Sequence, residues 1–106
     1  MPKYLIQASY SSEGVQGLLK GGGSARRAAV EAAVRGAGGR LEALYFAFGE
    51  TDGFAILDLP DNATAAALSL AISASGAGSA KTTVLLTPEE MDAATKKTVS
   101  YRAPGH

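Results

Sequence analysis

Five side chains in this sequence have types suited to a small-molecule site: Tyr10, Arg26, Tyr45, Asp52 and Asp58. An arginine offers a planar fork of donors to a carboxylate or carbonyl. Phenols donate or accept a hydrogen bond, and carboxylates orient or neutralise a cation. Arg26 belongs to "ARRAAVEAAVRGA", residues 25–37. In a helix, Arg27, Glu31 and Arg35 stand four apart on one face and alternate in sign, as a solvated face does. Arg26 shares its side with Val30, Ala33 and Ala37, the stripe to be buried against a sheet. These neighbours are small, which leaves room for the guanidinium or for something bound to it. Two readings follow. Arg26 reaches a cleft between helix and sheet and holds an anionic or carbonyl group, or it forms a structural pair with Glu42, Asp52 or Asp58, or snorkels to water. Asp58 alternates with Phe54 and Ile56, so it lies on an apolar strand face and needs a partner there. Arg26 is one candidate.

Other chemistries find less support. The chain has no cysteine, which removes disulfides, thiolate nucleophiles and thiolate metal sites together. Its one histidine, His106, is the last residue, a poor place for a general base. Glu50, Asp52, Asp58 and Asp61 lack the spacing of a hard-cation loop, and turn chemistry explains Asp52. No metal and no cofactor is expected. "GGGS" (21–24) is not a phosphate loop, because the lysine that should follow the last glycine is missing. It reads as a joint between two helical pieces. Tyr10, Tyr45 and Tyr101 would supply phenols to a pocket or simply fill a core.

Ten basic and ten acidic side chains cancel, so no strong field recruits nucleic acid or an anionic membrane. With 46% hydrophobic and 19% charged residues, the chain is globular. "MPKYLIQASY" enters a strand-like pattern directly, with no charged-then-apolar leader. The apolar runs are far shorter than a membrane span. A cytoplasmic protein is the expectation.

The elements that must position these residues read as follows. "KYLIQASY" (3–10) is the first strand. "SSEGVQGLL" (11–19) is a short helical piece with Ser11 or Ser12 as its cap, and residues 25–37 continue as a helix stopped by Gly38 and Gly39. "RLEALYFAF" (40–48) and "FAILDL" (54–59) are strands joined by a short loop, hence an antiparallel hairpin. Pro60 ends the third strand, and Asp61 caps a helix to about Ser75. "GAGSA" is a flexible stop before the fourth strand, "KTTVLLT" (81–87). Thr87, Pro88 and Glu90 form a capping-box start for a last helix to about Lys97. Residues 1–97 make one domain and 98–106 a tail.

This order is the split βαβ, or ferredoxin-like, α+β arrangement: a four-stranded antiparallel sheet with both long helices on one side. The second strand is apolar on both faces, one carrying Leu44, Phe46 and Phe48 and the other Leu41, Ala43, Tyr45 and Ala47. Helices cover only one face, so the other would expose more apolar surface than a monomer usually shows. A homodimer with two sheets face to face about a twofold axis removes the problem. A monomer would need its last helix or tail to fold over the open face. From Asn62 to Ala80 no residue is charged, and the small side chains there permit close approach of a neighbour, including a higher homo-oligomer.

"YLIQASY", "GGSARRAAVEAAV", "FAFGETDGFAILDLPD", "TTVLLTPEEMDAA" and "YRAPG" together resemble the GYD-domain family across nearly the whole chain. The resemblance implies a dimeric α+β barrel. The family's glycine–tyrosine–aspartate signature falls in the loop between the second and third strands. Gly49 and Asp52 fit it, and Thr51 stands where the tyrosine is usual. The resemblance implies no particular reaction. Relatives with this barrel include cofactor-free monooxygenases, small-ligand binders and stress-response proteins, and fold alone does not choose among them. Two function classes therefore stand. One is a homodimeric ligand-binding or assembly module. The other is an enzyme without a cofactor, monooxygenase-like, acting on a small apolar or carbonyl-bearing molecule in the helix–sheet cleft.

Overall fold

A computed structural model describes all residues, Met1–His106. The elements are β1 (Lys3–Tyr10), α1 (Ser12–Gly36), β2 (Arg40–Phe46), β3 (Gly53–Asp58), α2 (Asn62–Ala74), β4 (Gly78–Leu85) and α3 (Pro88–Thr95). The four strands form one antiparallel sheet in the order β2-β3-β1-β4. The fold is thus α+β and ferredoxin-like, with an open sheet.

Alternation along the strands sorts the sheet into two faces. Tyr4 pairs with Leu57 and Ile6 with Ala55, and these four point under the helices. With Val34, Leu59 and Ala65 they form the buried core. Tyr4 is anchored at its tip, where its hydroxyl donates to Asn62 Oδ1 at 2.6 Å. Leu5, Gln7, Phe54 and Ile56 lie on the opposite face, beside Ala43 and Tyr45 of β2 and Lys81 and Thr83 of β4. No helix covers that face. Leu44 and Phe46 take the helix side of β2, while Phe48 lies beyond the strand and is fully exposed.

The caps are those the sequence asks for. Ser11 accepts from Gly14 N, Asp61 from Thr64 N, and Thr87 with Glu90 completes a capping box. Several strand and helix ends shift by one or two residues, and two boundaries differ more. Helix runs from Ser12 to Gly36 through the glycines and is broken only at Gly22, whose φ of 81° and ψ of 172° are non-helical. β4 begins three residues before Lys81, because Gly78, Ser79 and Ala80 pair with Tyr10, Ser9 and Ala8. Gly78 is required there: a Cβ would sit 2.5 Å from the Ser9 carbonyl oxygen.

The chain is not compact. Its radius of gyration is 16.7 Å and its long axis 55 Å, where a domain of this length has about 13 Å. It exposes 7252 Å², about 1,700 Å² more than a folded monomer of this mass. Every residue from Pro88 to His106 is exposed. The last helix and the tail therefore do not roof the open sheet face of their own chain.

Candidate functional site

The apolar side of the sheet does not close fully against the helices. A half-open cleft of about 350 Å³ remains between α1, α2 and the strands. Its floor is Ile6, Ala8, Tyr10, Leu44, Ala55 and Leu57. α1 contributes Arg26, Ala29, Val30, Ala33 and Val34, and α2 contributes Leu68, Ala71 and Ile72. Alanine at 29, 33, 55 and 71 explains the space: a side chain of one carbon cannot fill the gap between two helices and a sheet. The lining contains no carboxylate, histidine or lysine. Arg26 and Tyr10 supply its titratable groups, with Ser75 and Ser79 adding hydroxyls.

The Arg26 guanidinium carbon lies 6.0 Å from the centroid of the Tyr10 ring, at the edge of cation–π attraction. A second hollow of about 360 Å³ lies under the glycine-rich first half of α1 and shares Tyr10, Arg26, Ala29 and Ala77 with the first. The arginine and the tyrosine thus stand where the two spaces meet. The kink at Gly22 separates the two helical pieces that roof them. Gly14 lets the first piece approach the α2–β4 turn, since a Cβ there would fall 1.9 Å from the Ala77 carbonyl oxygen.

Arg26 Nε is buried and has no hydrogen-bond partner. The ion pairs of the chain use Lys3, Arg27, Arg35 and Arg40 as cations, and Arg26 joins none of them. The three acids that the sequence offers as its partners are all engaged elsewhere. Asp52 Oδ2 accepts from the Tyr10 backbone N–H at 2.8 Å, while its own N–H donates to the Ala8 carbonyl at 2.9 Å. It stitches the β2–β3 loop to β1 and fixes the end of the strand that carries Tyr10. Asp58 and Glu42 lie on the open face. Asp58 Oδ1 accepts from Lys3 Nζ and its Oδ2 from Arg40 Nη2, each at 2.9 Å, and Glu42 also accepts from Lys3. A β-bulge between Leu41 and Ala43 aims Glu42 into this cluster.

The candidate Arg26–Asp58 contact does not form. The sheet itself separates the two, and Asp58, only 7% exposed, finds two cations on its own side. Hydrogen bonds from Lys3 first, and then from Arg40, hold the Asp58 carboxyl below the usual carboxylate range despite its burial. Glu42 and Asp58 in turn raise the Lys3 ammonium above its ordinary value.

Of the five candidate residues, Tyr10 and Arg26 line the cleft, and Asp52 supports it through the backbone. Tyr45 and Asp58 face the other way, Tyr45 with 71% of its surface in water. Leu68 and Ile72, with Ala71 between them, form the α2 wall that sequence reading assigned to no pocket. Their spacing of four was the available signal.

Residues 4–95 match the family model of the GYD domain. Neither a curated protein nor a solved structure matches the chain.

Proposed function

The chain belongs to the GYD domain family, and we propose that it is a homodimeric binder of a small, mostly apolar molecule carrying a carboxylate or carbonyl head. The observation that carries this reading is the unpartnered, buried Arg26 Nε at the wall of an apolar cleft. A buried donor without an acceptor costs roughly 1–3 kcal/mol, more when charged. A ligand oxygen removes that cost, and the apolar lining holds the rest of the ligand. A cleft of about 350 Å³ falls at the lower end of the range for small-molecule sites. The cofactor-free enzyme reading requires a base beside the substrate. The lining offers only the Tyr10 phenol for that task, so binding is the better account.

Dimerisation is supported by the surface area. An excess of about 1,700 Å² per chain over a monomer of this mass corresponds to the per-partner area of an obligate dimer. The uncovered sheet face carries Leu5, Tyr45, Phe54 and Ile56, apolar residues suited to meet a second copy.

Calorimetric titration with decanoate and with decanol tests the ligand reading. Decanoate binds at least about tenfold tighter than decanol, and Arg26→Met removes the difference while retaining decanol binding. Equal affinities for the two probes, or a preference that survives in Arg26→Met, overturns the role of Arg26. Binding of neither probe overturns the cleft as a site for apolar ligands.

A further inference from the structure

The C-terminal nineteen residues are the largest feature of the molecule that the cleft does not explain. α3 begins as well as any helix in the chain: Thr87 accepts from Glu90 N, Glu90 reaches back to Thr87 N at 2.9 Å, and Pro88 opens the first turn. Yet it spans eight residues, Pro88–Thr95, and helices below about 12 residues are marginal in water without tertiary packing. All of its residues are exposed, as is every residue after it. Leu86, Met91, Val99 and Tyr101 are among the large exposed apolar side chains of the chain. A capped helix with apolar residues and no surface to lie on is an element awaiting one.

We infer that this arm, Pro88–His106, is exchanged between two copies of the chain and docks beside the open sheet face of the other copy. The inference rests on the dimer reading above. Each chain has an uncovered apolar face, with Leu5, Tyr45, Phe54 and Ile56, and an uncovered apolar arm. A twofold pair in which the two sheet faces meet and each arm lies at the rim of that contact on the other copy covers both, because every contact then occurs twice. The arm is directed away from its own core: only Leu86 and Thr87 separate β4 from α3, and the chain reaches 55 Å along its long axis. An eight-residue helix spans about 12 Å, and eleven further residues extend to at most about 39 Å. That reach crosses a second subunit. The area agrees: a flat sheet contact of standard size buries about 800 Å² per partner, so the excess of about 1,700 Å² leaves room for an arm as well.

The experiment uses the full chain. Sedimentation first fixes the mass. In a dimer mixed from isotope-labelled and unlabelled chains, filtered NOE spectra then show contacts from Met91 and Tyr101 of one copy to sheet residues of the other. The α3 amides exchange at least about tenfold more slowly in the dimer than after dilution to monomer. Met91→Asp raises the dimer dissociation constant about tenfold or more with strand content unchanged. A dimer whose arm contacts only its own chain, or whose α3 amides exchange freely, overturns the exchange while leaving the dimer in place. So does a Met91→Asp variant of unchanged dissociation constant. A monomeric mass at high concentration overturns dimer and exchange together, and the decanoate titration reports on the cleft independently of both.

Discussion

Arg26 stands over Tyr10, its guanidinium carbon 6.0 Å from the ring centroid, with Nε buried and no ion pair to any acid of the chain. On the far side of the same sheet, Lys3 and Arg40 meet Asp58 and Glu42. On one face a lysine and an arginine are paired with two carboxylates, and on the other an arginine faces an aromatic ring without an ion pair. The contrast is what supports the proposal of a ligand in the cleft. Cation–π attraction at a partly desolvated site is worth about 0.5–2 kcal/mol. Tyr10→Phe keeps the ring and holds decanoate affinity within about twofold. Tyr10→Ala removes it and weakens binding about threefold to tenfold, read by titration calorimetry with a thermal melt as the control for folding.

Asp58 gives the open face a pH dependence. Its carboxyl is held below the usual range, chiefly by the Lys3 hydrogen bond. A depressed carboxylate contributes stability above its unfolded value, about 3.9, and that contribution is lost as pH falls through the lower folded value. Urea unfolding of Asp58→Asn is expected to show a loss of about 1–3 kcal/mol at pH 7. The wild-type and variant curves converge once the pH has fallen below the lowered folded value. Lys3 has the opposite sense: its raised value gives stability below the ordinary lysine range that is lost at still higher pH.

Two neighbouring glycines in α1 are expected to respond in opposite directions. Gly22, at φ 81° and ψ 172°, occupies backbone space that is essentially glycine-only, and Gly22→Ala costs about 1–3 kcal/mol. Gly21 has no positive φ, and a Cβ there meets Ala25 Cβ at an ordinary 3.6 Å. Gly21→Ala therefore stabilises by about 0.5–1 kcal/mol through helix propensity. Paired urea titrations of the two variants check both signs.

Much of the fold was readable because it rests on local rules. Ser11, Asp61 and Thr87 announce their helices by type and spacing, and the four-residue period of Arg27, Glu31 and Arg35 puts Arg26 on the buried stripe. The first residues of β4 were not readable. Gly78, Ser79 and Ala80 look like a flexible stop, yet pairing along the full length of β1 draws them into the sheet, a tertiary effect that outweighs propensity. The partner of Asp58 was hidden for a related reason. Lys3 lies 55 positions away in sequence, and only the antiparallel register places the two directly opposite. The cleft is a matter of missing volume at Ala29, Ala33, Ala55 and Ala71, which no single stretch of sequence displays.

The most direct test follows the Arg26 side chain itself. Nitrogen-detected NMR of the arginine Nε–H groups during decanoate titration should shift the Arg26 signal and leave that of Arg27, whose Nε already donates to Glu31, in place. An Arg26 signal that stays still while decanoate saturates the protein contradicts the account.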